Sequence, residues 1–232
     1  MIKKIKILIV LTLIIFGFSK EAFSRVGKGA ATQYEVTVNK VWLCEDGSTE
    51  SNCLNATLVS DGTERAMDIA GVSAGAAAAT MGSLNKASFG KKYTYVQVRM
   101  KRAMTITGTD GDCVTSGNGS LTAFAAGKAA GNTAASATLY VPGTGTQGAT
   151  MPNYINGYNS SADTTSDAAT VADADDYFDW RGVITGGFIL RPGSIPSLKI
   201  AFNVSNAVEG NHATCTNSHM NAAEPAVTIT IQ

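Results

Sequence analysis

Apolar and polar residues alternate one for one along much of this chain. Val96, Val98, Met100, Met104 and Ile106 occupy even positions, and Tyr95, Gln97, Arg99, Lys101, Thr105 and Thr107 fall between them. Successive side chains of a strand point to opposite faces, so this spacing predicts one long half-buried strand, or two joined at a bend near Arg102. Arg102 interrupts the apolar face and marks a bulge or a sheet edge. Leu198, Ile200, Phe202 and Val204 repeat the pattern, as do Val227, Ile229 and Ile231. Val36 and Val38 share one parity while Val41 and Leu43 share the other, so a bulge is expected at Asn39-Lys40. Shorter strands are expected at Thr57–Ser60, Arg65–Ala70, Ala137–Val141 and Val183–Leu190.

Clusters of Gly, Asn, Asp and Ser separate these segments, as at Thr107–Gly119 and Pro142–Gly148. Short strands, polar turns and the lack of a long amphipathic pattern predict an all-β chain, an antiparallel β-sandwich of immunoglobulin-like or jelly-roll-like kind with long loops. Ser73–Thr80 and Ala123–Ala130 are Ala-rich and read as minor short helices. Residues 142–180 form an elaborated loop region, and its Asn153–Asp176 part is the longest irregular stretch. No fixed repeat and no linker divides the chain, so residues 25–232 are expected to make a single domain.

The first 24 residues depart from this pattern. Lys3, Lys4 and Lys6 precede an apolar run from Ile7 to Phe18, and Ala22 and Ser24 supply small residues at the −3 and −1 positions of a cut after Ser24. That is the build of a secretory signal peptide. The run is shorter than the roughly 20 residues a permanent span needs, so no membrane anchor is expected after cleavage. The expected location is the cell surface or the extracellular space, with the periplasm as the alternative. The whole chain holds 18 basic and 18 acidic residues, and removing Lys3, Lys4, Lys6, Lys20 and Glu21 leaves 14 and 17. A slightly acidic product has no basic field for nucleic acid.

Cys44, Cys53, Cys113 and Cys215 all follow the cleavage point. An even count in an oxidising compartment predicts two disulfides among three possible connectivities, with free buried thiols as the alternative. Cys44 and Cys53 flank one polar loop, so a local bridge there is the simplest choice. Cys113 with Cys215 then ties the middle of the chain to its end.

Several constellations could carry chemistry. Asp173, Asp175, Asp176 and Asp179 could offer oxygens to Ca²⁺ as a cofactor, although no EF-hand pattern is present. The same acidic residues, as a pair around Asp179, could act as glycosidase carboxylates. Tyr154, Tyr158, Tyr177 and Trp180 flank the acidic segment and, with Trp42, could stack on a glycan. His212, Cys215 and His219 have a spacing that could gather zinc. Gly71-Val72-Ser73-Ala74-Gly75 fits the G-x-S-x-G elbow and resembles the serine motif of patatin-type lipases. That resemblance implies Ser73 as nucleophile. The chain departs from the family in having no Gly-rich oxyanion loop between Arg25 and Gly71, and no Asp-Gly-Gly or Asp-Gly-Ala partner.

The ending Pro225-Ala-Val-Thr-Ile-Thr-Ile-Gln232 resembles the last strand of bacterial chaperone–usher pilins. The resemblance implies self-association by strand exchange, for which Tyr34–Leu43 has the required alternation. The expected function is therefore non-enzymatic: an exported surface or structural protein, a pilin-like filament or adhesin subunit, partnered by its own copies or by another surface protein. The alternative is a secreted or periplasmic carbohydrate-binding module, stabilised by Ca²⁺. A serine hydrolase at Ser73 is a third reading.

Overall fold

A computed structural model describes residues 27–71, 83–118, 126–131, 133–140, 154–155, 177–193, 196–210, 214–215 and 219–231. The expected signal peptide, Ser73, Tyr158, Asp173, Asp175, Asp176 and His212 lie outside the described residues.

The described chain is almost entirely strand. The first half holds β1 (Lys28–Gly29), β2 (Ala31–Glu45), β3 (Thr57–Leu58), β4 (Arg65–Asp68), β5 (Lys92–Asp110), β6 (Cys113–Asn118) and β7 (Ala126–Ala130). The second half holds β8 (Ala137–Tyr140), β9 (Tyr154–Ile155), β10 (Tyr177–Ile189), β11 (Leu198–Asn203), β12 (Val208–Gly210), β13 (His219–Ala222) and β14 (Ala226–Ile231). A single 3-10 turn, Leu84–Lys86, is the one helical element among the described residues.

The long alternating segment is β5, unbroken over 19 residues and bonded along both edges. On one side it pairs antiparallel with β2, from Ala31↔Gly108 to Glu45↔Tyr93. On the other side it takes β10, then β8, then β6 in turn. Both expected irregularities are present. The step from Val38↔Met100 to Lys40↔Arg99 leaves Asn39 extra on β2. The step from Val36↔Met104 to Val38↔Met100 places Lys101, Arg102 and Ala103 opposite Thr37 alone. Arg102 thus sits in a bulge, in the middle of the sheet and not at its edge, and its side chain is fully buried.

From Val96 onward in β5 and from Phe178 to Ile184 in β10, even-numbered residues face the core. Val96, Ile106, Phe178 and Ile184 pack there with Tyr34, Val36 and Leu43 of β2 and Ile229 of β14. The antiparallel pair β11–β14 extends this sheet beyond β10, joined by the parallel register Ile184↔Ile229. The sheet is therefore mixed, where an all-antiparallel arrangement was expected.

A second set of pairings closes on itself. β5 pairs with β6, β6 with β7, β7 with β13, β13 with β12, and β12 with β1. β1 runs into β2, whose Ala31 pairs with Gly108 of β5, and Thr109 N–H donates to Ala30 O at 3.0 Å. The result is a small ring of strands that shares β5 with the larger sheet. Gly29 permits the closure, because a β-carbon there would stand 1.6 Å from the Thr109 carbonyl oxygen.

Three expectations are corrected. Ala126–Ala130 is strand β7, not a helical turn: its small side chains fit the crowded ring, and pairing with β6 and β13 overrides the helix preference of Ala. Tyr177–Trp180 belongs to β10 and not to the loop region, because Phe178 and Trp180 bury themselves against the core while the backbone pairs with β5. Tyr34–Leu43 is an internal strand of its own sheet, held by β5 on one edge and by β3 and β4 on the other, not a free donor.

Two disulfides brace the ends of this arrangement, Cys44–Cys53 and Cys113–Cys215, and no cysteine is left free. They fit an oxidising, exported setting. No helix of the described residues is long and apolar enough to cross a membrane. The bridges close loops of very different size, with separations of 9 and 102 residues. The Cys113→Ser/Cys215→Ser variant should therefore lose about 4–5 kcal/mol and the Cys44→Ser/Cys53→Ser variant about 2–3 kcal/mol, measured by urea unfolding. The reverse order would show that loop entropy is not what these bridges supply.

Candidate functional site

From Tyr95 onward in β5 and from Tyr177 to Val183 in β10, the odd-numbered residues point away from the core, and they are not simply solvated. Registers Trp42↔Gln97↔Arg181 and Lys40↔Arg99↔Asp179 set two rows side by side across β2, β5 and β10. Asp179 lies at their centre. Arg99 Nε donates to its Oδ1 at 2.7 Å and Arg99 Nη2 to its Oδ2 at 2.8 Å, a fork-to-fork pair. Gln97 Nε2 adds a third bond to Oδ2 at 3.2 Å. Gln97 turns its carbonyl to Arg181, whose Nε donates at 2.6 Å. Arg181 Nη1 then reaches the Glu50 carbonyl oxygen at 3.0 Å, inside the loop that Cys44–Cys53 closes.

Burial gives this network its character. The Asp179 side chain is 6% exposed and that of Arg99 25%. The hydrogen bonds to Asp179 hold the Arg99 guanidinium above its ordinary range, against the opposing effect of burial. Burial moves Arg181 the other way, downward, and the Asp179 charge resists that shift. The Arg99 guanidinium also lies over the half-buried Trp42 ring, 5.4 Å from its centroid. One row further along, Lys101 Nζ meets Glu64 Oε2 at 3.0 Å, and the Tyr177 hydroxyl donates to the same carboxylate. Those two donors, Tyr177 first, hold the Glu64 carboxyl below its ordinary range.

Trp180 faces the opposite way. It is buried, and its indole N–H donates to Glu224 Oε1 at 2.8 Å. The Tyr34 hydroxyl donates to Ala223 O at 3.2 Å, so two aromatic side chains clamp the same segment onto the core. Burial first, and the Glu224 charge second, push the Tyr34 phenol well above its ordinary range.

Tyr177 and Trp180, expected on one glycan platform, thus stand on opposite faces of β10. Tyr154 lies in β9, its backbone paired with Trp180. Asp179, the one described member of the acidic set, turns both oxygens to Arg99 and Gln97. No group of three metal-binding side chains occurs among the described residues. Cys215 is in a disulfide, which removes the thiolate that the zinc spacing needed.

Sequence reading missed the buried network because Gln97, Arg99 and Arg181 occupy positions that alternation assigns to solvent. The available signal was their proximity in pattern: two polar groups of one strand, two of another, at matching parity. The site can hold shape and present Trp42 with charged and amide edges. Comparison of the chain with protein-family models, curated proteins and solved structures finds no match.

Asp179→Asn keeps the shape and removes the charge that Arg99 and Arg181 face. It should lower stability by on the order of 3 kcal/mol in urea unfolding, while a loss below about 0.5 kcal/mol would class the pair with ordinary surface bridges. Tyr34 gives a pH dependence. Its folded-state pKa is raised, so its contribution is complete below the unfolded value of about 10 and is lost as pH rises beyond it. Tyr34→Phe should therefore flatten the fall of stability above about pH 10, in a series of urea melts; an unchanged slope would assign the fall to other groups.

Proposed function

We propose that this chain is an exported, non-enzymatic surface protein, a structural or adhesive subunit of pilin-like or filament type. Its partners are copies of itself or another surface protein, and it needs no cofactor. One observation carries this reading: the buried charges among the described residues brace strands to one another. Asp179 ties β10 to β5, Arg181 ties β10 to the Cys44–Cys53 loop, and two disulfides lock both ends of the fold. A protein built to endure outside the cell uses its polar groups in this way. The fold that accompanies the proposal is a sandwich of immunoglobulin or jelly-roll kind with one parallel pairing, in which β5 passes from one layer to the other.

A second reading, glycan binding, is favoured at Trp42 among the aromatic residues expected to stack on a sugar. Trp42 is half-buried beside Arg99 and Gln97, an aromatic ring bordered by planar hydrogen-bonding groups. That combination suits a sugar ring stacked on indole with its hydroxyls bonded at the rim.

Negative-stain electron microscopy and size-exclusion chromatography of residues 25–232 separate the two. Regular polymers, or a defined oligomer that persists on dilution, are the expected result. A monomer at high concentration that binds a glycan array, with binding lost in Trp42→Ala while the fold is kept, would overturn the structural reading in favour of the second.

A further inference from the structure

Inside the small ring of strands lies a second buried pair. Asp110 closes β5 and Lys128 sits in β7, with β6 between them. Lys128 Nζ is 3.1 Å from Asp110 Oδ2, and the side chains are 1% and 11% exposed. Backbone forms the walls. A β-carbon on Gly27 would fall 2.0 Å from Asp110 Oδ1, and one on Gly210 would fall 2.1 Å from Asp110 Oδ2 and 2.5 Å from Lys128 Nζ. Gly210 N–H donates to Gly27 O at 3.1 Å, so these two glycines are bonded to each other across the pair. Only residues without a side chain fit there. The chain has made room for an amine and a carboxyl in contact, and little room for water.

We infer that Asp110 and Lys128 form a site of covalent modification, an amide cross-link between the Asp110 side-chain carbonyl carbon and Lys128 Nζ. The atoms balance within the pair. One proton passes from the ammonium to the carboxylate, which leaves a neutral amine against a carboxylic acid. The nitrogen lone pair adds to Cγ and a C–N bond forms. A second proton moves from nitrogen to the departing oxygen, its C–O bond breaks, and one water leaves. No oxidant, metal or co-reactant enters.

Two physical features drive the step. Lys128 Nζ lies 3.1 Å from an oxygen of the carboxyl whose carbon it would attack, which replaces an encounter in solution by a fixed geometry. Exclusion of water favours condensation over the reverse hydrolysis. The product would join β5 to β7 across β6. It would lie beside the Cys113–Cys215 bridge, since Cys113 pairs with both Asp110 and Ala130. Two covalent ties at one corner would hold the ring shut even where its hydrogen bonds open. The inference stands apart from the proposed function, because the chemistry needs only this pair.

Intact mass spectrometry of the mature protein, denatured and unreduced, tests it. The expected mass is one water below that of the chain with two disulfides. A protease digest should contain a branched peptide joining the segment of Asp110 to that of Lys128, which separates this bond from any other loss of water. Lys128→Arg should restore the full mass. The wild-type measurement decides by itself if that variant does not fold. A wild-type protein at the full two-disulfide mass, whose Lys128 amine reacts with an amine-directed label in denaturant, would show an ion pair only and overturn the inference.

Discussion

The rest of the structure depends on the pairing of β5 along its whole length. Its 19 residues carry the backbone hydrogen bonds of two sheets: β2 on one edge, and β10, β8 and β6 in succession on the other. A strand of that length must twist along its course. The bulges at Asn39 and at Lys101–Ala103 interrupt its pairing with β2. Val96 and Val98 then serve the large core, while Gly108 and Asp110 serve the small ring. One strand thus fixes the position of every other described element.

Such a shared strand has a cost in polar burial. Both of its faces are covered over part of its length, so groups that alternation sends outward, Gln97 and Arg99, end under neighbouring side chains. A charge in that position requires a partner. Asp179 arrives from β10 at the matching register, and its two oxygens satisfy Arg99 and Gln97 together. Such a network adds little net stability over an apolar equivalent, yet it accepts one register only. A slip of β10 by one residue would carry Asp179 into the core and Phe178 out of it.

The ring applies the same logic more tightly. Lys128 is a single charge in a run of Ala and Gly, and its stem is enclosed by strands whose glycines allow close approach. Tyr34 and Trp180 do comparable work at the other face, where each polar tip reaches the Ala223–Glu224 segment and holds it against the core. Across the described residues, polar side chains lace distant parts of the chain together.

Period-2 alternation was enough to place β5, β11 and β14, the bulge at Asn39-Lys40 and the buried parity of each, because burial of one face is a local property of a strand. The spacing of four cysteines was enough to suggest the two bridges, because an eight-residue polar loop brings its ends together cheaply. What the sequence left undecided depends on contacts between residues far apart in number. Ala126–Ala130 is a strand only because two partners flank it. Arg102 is buried only because β2, β8 and β10 meet around it. Arg181, Gln97 and Asp179 become one network only through the register of β10 on β5, and Asp110 meets Lys128 only when the ring closes. Alternation states which residues share a face of one strand; it carries no information about what the next strand brings to that face.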